Sequence, residues 1–335
     1  MWTDDIYGFD LHSEHAEQVS SRLSKSLKVK MEPTNRFVGI DISQEDDGAW
    51  ILHQSTHVEK ALKDHEQLIV GKRSVLTPVD TAAAGDAVYL RGAAEPVRGA
   101  ADEQVSVSLP SILGTLNYLA YSTRVDITFA TNRAARLAAG EKVGVDAASR
   151  VLRYLKNCPR LGLRFPAKPV SESVQKKLKV SAYADADFDC HHDGKSQTGL
   201  VIMVNNAIVD FASEKQGAVA LSTADAEIIA LSEACRRAVG LINVLVSSGF
   251  AVEIPAIVHE DNNSALANGK VISMGKSVRH LSRRDLYVKE AVKAGQVQIV
   301  KIPSKDQLAD ILTKGLDSDR MLELRNAMLY PPKVN

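Results

Sequence analysis

Four acidic residues in well separated segments of this 335-residue chain have the type and placement to do chemistry together. Asp185 closes the alternating stretch "LKVSAYAD", which reads as a strand, and Glu227 lies one turn into a long apolar-striped segment. Asp261 ends the short apolar run "AIVHED", and Asp310 falls in "KDQLADILTKG", read as a final helix. A sheet and its flanking helices can bring such positions together, and carboxylates gathered in a low-dielectric site repel unless a cation neutralises them. No Cys or His pair stands nearby at ligand spacing, so oxygen ligands favour Mg²⁺, with Mn²⁺ as the alternative, over zinc. Two such ions about 4 Å apart activate water and stabilise the leaving oxygen in attack on a phosphodiester, which is nuclease chemistry. The competing reading stays open at this point: an acid at a strand end or in a first helical turn is commonly a cap or a dipole partner.

Neighbouring residues narrow the choice. In "SAYADADFDCHHDG" three aspartates alternate; chemistry is assigned to Asp185, while Asp187 and Asp189 are placed in an exposed loop before Lys195. Asp225 and Glu227 are two apart on a helix, hence about 200° around it, so only one can face a given site. Glu227 adjoins the apolar stripe and Asp225 sits where a capping acid belongs. Cys190-His191-His192 reads as a solvent-exposed loop, because consecutive residues seldom converge on one ion. No serine has a visible His/Asp arrangement, and no Gly-rich phosphate loop is present.

The elements that must position the acids follow from periodicity. From Lys177 the pattern is strand-rich: "LKVSAYAD", "TGLVIMVN" and "AIVDFAS" are three strands, the last two joined by Asn205-Asn206 as a hairpin. A long helix then carries Ile228, Leu231, Cys235, Ala238, Ile242 and Leu245, with Ser222 and Asp225 as a capping-box-like start and Gly249 as the stop. "AIVHED" is a strand, "NNSALANG" a short helix, "RHLSRRDLYVKEAVKAG" a helix ended by Gly295, and "QVQIVKIP" a fifth strand. The predicted order is β-β-β-α-β-α-α-β-α, with "YPPKVN" frayed. Upstream, helices are expected at 12–28, 56–67, 112–137 and 145–157. A hairpin is expected about Asp46-Asp47-Gly48, with Val38, Ile40 and Ile42 on one strand and Trp50 and Leu52 on the other. The Ala-, Gly- and Pro-rich stretch 75–110 reads as a loop, and "NCPRLGLRF" as a turn into a strand.

The totals bound the answer without choosing it. The length allows two domains, and 45% apolar residues suit an ordinary globular protein. No run approaches the roughly 18 apolar residues of a membrane span, and "MWTDDIYGFD" has no basic n-region, so no membrane association and an intracellular location are expected. Three cysteines at wide spacing suit reduced thiols. Formal net charge is zero, so only local clusters at 22–30, 150–156 and 275–284 speak for a polyanion, and each reads equally as a solvated helix face.

Residues in one register from about Lys177 to Leu316 carry a specific resemblance. "SAYADADFD", "KSQTGLVIMVNNAIVDFASEKQGAVALSTADAEIIALSEA", "HEDNNSALANG" and "IPSKDQLADILTKGL" together resemble the RNase H domain of copia-type LTR retrotransposon Pol polyproteins. The resemblance implies an RNase H-like α/β fold, a mixed five-stranded sheet with flanking helices, and hydrolysis of the RNA strand of an RNA/DNA hybrid. It places the family's four metal-binding, catalytic acids on Asp185, Glu227, Asp261 and Asp310, with two Mg²⁺ ions as cofactor. Upstream, "SILGTLNYLAYSTRVDITFATNRAARL" and "DAASRVLRYLKNCPRLGLRF" resemble the helical connection, and "RFVGIDISQEDDGAWILHQSTHVEKAL" the palm end and thumb of the reverse transcriptase. "WTDDI" resembles the polymerase motif, which makes Asp4 and Asp5 a remnant of it; without fingers and most of the palm, no DNA polymerase activity is expected.

The resulting division is 1–110 partial palm end and thumb, an α+β remnant; 111–176 connection; 177–316 RNase H-like domain; and 317–335 tail. With a hybrid as substrate, Arg150, Arg153 and Lys156, and Lys276, Arg279, His280 and Arg284, become phosphate-contact candidates. Association with other Pol products or with itself, and a place in cytoplasmic virus-like particles or the nucleus, are further implications. The chain departs from the family pattern at Phe188, Val125, Ser282 and Leu286, which bears on substrate contacts and not on the four acids. A catalytically inactive, domesticated protein that binds nucleic acid or a partner is the competing reading.

Overall fold

A computed structural model describes residues 21, 35–80, 108–137, 141–167, 177–263 and 283–332. The helix expected at 12–28, the short helix "NNSALANG" and most of the 75–110 loop lie outside the described residues.

Alternation from Val180 onward produces the five-stranded sheet that positions the acids. Its strands are β5 (Val180–Asp187), β6 (Gln197–Val204), β7 (Ala207–Lys215), β8 (Ala256–Glu260) and β9 (Val297–Lys301), in the order β7-β6-β5-β8-β9. β5, β6 and β7 run antiparallel in succession, whereas β8 is parallel to β5 and β9 to β8. This is the mixed five-stranded arrangement expected. Asn205 and Asn206 both take positive φ in the two-residue turn between β6 and β7, as the primed hairpin turns demand.

Each face of this sheet is buried by a different set of helices. On one face Val180, Ala182, Ala184 and Ala186 of β5 and Ala256 and Val258 of β8 pack under α5 (Thr223–Ser247) and α6 (Arg283–Lys293). The Ser222 hydroxyl accepts from the Asp225 amide at 3.1 Å and the Asp225 carboxylate accepts from the Leu221 amide at 2.9 Å, so α5 starts on the capping pair read from sequence. Gly249, at φ +85°, follows its last turn. The opposite face, through Val201, Met203 and Ile208, shares a core with α2 (Leu109–Ala120), α3 (Thr128–Arg136) and α4 (Glu141–Asn157). Ile311, Leu312 and the C-terminal helix α7 (Ser318–Met328) complete that core.

A second, four-stranded antiparallel sheet is formed by β1 (Arg36–Phe37), β2 (Ile40–Gln44), β3 (Trp50–His53) and β4 (Gly162–Phe165), and α1 (Ser55–Asp64) follows β3 in the chain. Its strands come from both sides of position 110: β4 follows α4 and pairs with β3. Tyr330 in turn bridges Gly162, with backbone hydrogen bonds of 2.9 Å in both directions.

Several expectations need correction. Val38 is not a strand residue; with Gly39 it forms a positive-φ turn between β1 and β2 and is 61% exposed. In β3 the buried side chains are Ile51 and His53, while Trp50 points outward. The expected 112–137 helix is two helices, broken at Tyr121–Arg124 and resumed after a 3-10 turn at Val125–Ile127. "KDQLADILTKG" is not an α-helix but two short 3-10 turns, Ser304–Asp306 and Leu308–Leu312, and the real terminal helix is α7, inside the stretch read as tail.

Candidate active site

Strand alternation sends Asp185 and Glu260 to opposite faces of the sheet. Asp185 shares the face of Tyr183, toward the turn 308–313; Glu260 shares the face of Ala256 and Val258, toward α5. Glu227, in the second turn of α5, meets Glu260 there, and Asp261 follows directly where β8 ends. Asp185, Glu227 and Asp310 are 4%, 5% and 8% exposed, and Glu260 is fully buried. The structure thus brings the four acids named from sequence into one neighbourhood and adds Glu260 to them. Among the described residues, no group of three or more acids, histidines or cysteines is drawn together tightly enough to hold a metal ion.

The turn carrying Asp310 is clamped at both ends. Gln307, fully buried, donates to the Ala184 carbonyl of β5 at 2.7 Å and to Asp261 Oδ1 at 3.3 Å, and its own oxygen accepts from the Ala309 amide. At the far end the Ser213 hydroxyl of β7 donates to the Leu312 carbonyl at 2.6 Å. Ser213 accepts from Gln197, which contacts His191 at 3.0 Å. His191 is therefore a buried part of this clamp, not the exposed loop residue expected, while His192 is exposed. Gly199, the β6 partner of Asp185, lets the turn approach: a Cβ there would stand 2.7 Å from both the Ala309 oxygen and Thr313 Cγ2. Asp187 is the last residue of β5 and half-buried, whereas Asp189 is exposed in the following turn; the exposed-loop expectation holds for Asp189 alone.

Charge is distributed unevenly over the cluster. Lys314 Nζ lies 2.6 Å from Asp310 Oδ1 and 3.6 Å from Asp185 Oδ2, and Arg320 Nη2 lies 3.1 Å from Asp310 Oδ2. The Thr313 hydroxyl donates to Asp185 Oδ2. Burial opposes the Lys314 charge, but Asp185 and Asp310 outweigh it and hold the ammonium above the usual lysine range. Asp185 is pushed up to about 6 by burial, against the pull of Lys314. Glu227 is pushed far up by burial and then by Glu260, Asp185 and Asp261, and burial likewise raises Glu260. Glu227 Oε2 and Glu260 Oε2 are both buried without a hydrogen-bond partner among the described residues. Asp225 faces away, as its capping bond requires.

Sequence reasoning passed over Glu260, Gln307, Gly199, Lys314 and Arg320. The alternation in "AIVHED" could have found Glu260, and the i, i+4 spacing from Asp310 could have found Lys314. Gln307, Gly199 and Arg320 act through tertiary approach and carry no local pattern.

The basic candidates divide. Arg150 bonds Asp80 at 3.4 Å and Thr77 at 3.1 Å, Arg153 donates to the Arg73 carbonyl, and Lys156 is exposed. Arg150 and Arg153 line, with Lys72, Arg133, Asp80 and Asp146, a cleft of about 250 Å³. Arg284 is exposed on α6; Asp4, Asp5, Lys276, Arg279 and His280 lie outside the described residues. The three cysteines are free thiols.

No family model matches the chain. The chain is 27% identical over 318 residues to the retrovirus-related Pol polyprotein from transposon TNT 1-94 of Nicotiana tabacum, covering 94% of this chain and 23% of that protein. It is 28% identical over 207 residues to that of transposon RE1 of Arabidopsis thaliana, covering 61% and 14%. Its curated relatives thus include retrovirus-related Pol polyproteins of copia-type transposons. The chain spans under a quarter of the length of those relatives. It is also 33% identical over 133 residues to secreted RxLR effector protein 161 of Plasmopara viticola, covering 39% of this chain and 89% of that protein. Among solved structures, LC11-RNase H1 isolated from compost matches 40% of this chain and 92% of its own, at 18% identity and a TM-score of 0.32. Among the described residues, no helix is long and apolar enough to cross a membrane.

Proposed function

We propose that this chain is a segment of a copia-type Pol polyprotein that hydrolyses the RNA strand of RNA/DNA hybrids with the help of divalent cations, Mg²⁺ or Mn²⁺. The observation that carries the reading is the pair of buried, unpartnered carboxylate oxygens on Glu227 and Glu260 beside Asp185 and Asp261. Folding alone gives no reason to bury acids in this way, since an unsatisfied buried polar group costs about 1–3 kcal/mol and a charged one more. A hard divalent cation meets the need, because every donor in the set is a carboxylate oxygen. In donor chemistry the residues present suit such an ion, and they would have to draw closer to hold it, since no group of three among the described residues is tight enough as it stands. Asp185, Glu227, Asp261 and Asp310 would hold it, with Glu260 behind Glu227 reinforcing the negative field.

When bound, the ion supplies a water of lowered pKa and neutralises charge developing on the phosphodiester. The chain's own groups do the rest. Gln307 keeps Asp261 and the Asp310 turn in register with β5, Gly199 admits that turn to the strand end, and Thr313 orients the Asp185 carboxylate. Cleavage leaves a 3′-hydroxyl and a 5′-phosphate on the RNA. The exposed basic residues Lys156 and Arg284, and the cleft lined by Arg150 and Arg153, are proposed phosphate contacts that orient the duplex.

The test is direct. Purified chain, Mg²⁺ and a labelled hybrid should yield RNA fragments, with cleavage falling to background in Asp185→Asn and in the presence of a chelator. A folded chain that leaves the hybrid intact at high concentration overturns the enzymatic reading and leaves binding without catalysis.

A further inference from the structure

We infer that Lys314 is a resident counter-cation in the gap between Asp185 and Asp310, so that a metal ion entering that gap must first displace the ammonium. The inference rests on the metal-dependent reading of the acid cluster and adds an order of filling to it.

The geometry separates two halves of the cluster. On the turn side, the Lys314 ammonium touches Asp310 at 2.6 Å and reaches Asp185 at 3.6 Å, close enough to serve both carboxylates at once. Arg320 takes the second oxygen of Asp310 at 3.1 Å, so Asp310 is neutralised from two directions. Both contacts to Asp185, from Lys314 and from the Thr313 hydroxyl, fall on the same oxygen, Oδ2. On the α5 side, Glu227 and Glu260 have no cation and no hydrogen-bond donor on their Oε2 atoms among the described residues. One half of the site therefore presents carboxyl oxygens with no cation in contact, and the other presents carboxylates already paired.

Like charges cannot share the gap. A divalent ion within about 4 Å of an ammonium meets repulsion of several kcal/mol at a protein-like dielectric. Lys314 can yield, because its side chain is 42% exposed and its four-carbon stem is flexible. Arg320 is more tightly bound, donating also to the Lys305 carbonyl at 2.6 Å and to Glu323 at 2.8 Å. Ions should accordingly bind in sequence, first among Asp185, Glu227 and Asp261, and only then between Asp185 and Asp310 as Lys314 swings out.

Mn²⁺ titration of the full chain without substrate, with bound ions counted by electron paramagnetic resonance, reads this order without reference to activity. The wild-type chain should bind one ion tightly and a second at least about tenfold more weakly. Lys314→Met should strengthen the second site by about tenfold or more. Lys314→Gln serves as a second uncharged variant should the first not fold, and Lys314→Arg should restore the weak second site. Equal second-site affinity in the wild type and both uncharged variants overturns the inference and leaves the metal reading standing. Absence of Mn²⁺ binding in every form overturns the metal reading and the inference with it.

Discussion

Among the described residues, acids are buried in two places, and they are treated in opposite ways. Near the junction of α2 and α4, Asp126 and Arg124 are both wholly buried. Arg124 Nε and Nη2 donate to the two Asp126 oxygens at 2.9 and 2.7 Å, and Tyr154 donates to Oδ2 at 2.8 Å. Arg124 also donates to the Cys158 carbonyl at 3.1 Å. Burial works against the guanidinium, yet Asp126 holds its pKa above the ordinary arginine value. At the end of the five-stranded sheet, Glu227 and Glu260 lie at similar depth with unpartnered oxygens. The same chain can thus satisfy a buried acid completely where structure alone is at stake. Bareness at Glu227 and Glu260 is a property of that location and points to a ligand.

Breaking the satisfied group should have the largest effect. Arg124→Met leaves Asp126 buried without its cation and should destabilise the chain by about 3–5 kcal/mol in urea unfolding. A loss below about 1 kcal/mol would mean that the pair is not structural and would remove one side of the comparison. Gly199→Ala should come next: the added Cβ forces the 308–313 turn away from β5, costing about 1–3 kcal/mol and depressing hybrid cleavage more than hybrid binding.

Relieving the bare group should act in the other direction. Glu227→Gln should abolish cleavage yet stabilise the metal-free chain at pH 8 by about 1 kcal/mol, because it removes a carboxyl that must take up a proton on folding. The pH profile follows from the raised folded-state values. An acid whose pKa rises on folding contributes stability that is complete below its unfolded pKa and is lost as pH climbs through the folded one. For Asp185 that window runs from 3.8 to about 6, and for Glu227 and Glu260 it extends higher. The melting temperature of the metal-free chain should therefore decline from about pH 4 upward. Glu227→Gln should flatten the decline, and Mn²⁺ should reverse it; a profile that instead rises over this range contradicts the cluster's electrostatics. Lys156→Ala, on an exposed position, should change stability by less than about 0.5 kcal/mol. It should also weaken hybrid binding and lower the salt slope by about one unit, which separates surface charge from both buried groups.

Local pattern revealed much of the sheet and half of the site. β5 to β9, the Asn205-Asn206 turn and the Ser222/Asp225 start of α5 obey period, turn chemistry and capping, each encoded by residues close in sequence. Asp185, Glu227, Asp261 and Asp310 stood out because acids beside apolar runs are conspicuous, and the family resemblance put them in one register. Glu260 was hidden by its neighbour Asp261, although alternation directs it to the α5 face. The 308–312 stretch read as a helix because its apolar spacing suits one; in the structure Gln307 and Ser213 fix it as a tighter 3-10 turn through bonds from distant strands. Helix α7 was missed where Asp317 caps it, and Val38 was assigned to a strand because a β-branched residue at positive φ is uncommon.

Ser213 has a consequence for how the two halves of the chain can diverge. Its carbonyl accepts from Asn132 of α3 at 2.6 Å while its hydroxyl holds the Leu312 carbonyl, so one small residue rivets α3 to the turn that bears Asp310. Drift in the sequence of α3 would then be felt as misalignment of an acid on a different segment. Grafting this sheet onto a foreign set of helices would require the Asn132–Ser213–Leu312 fastening to travel with it.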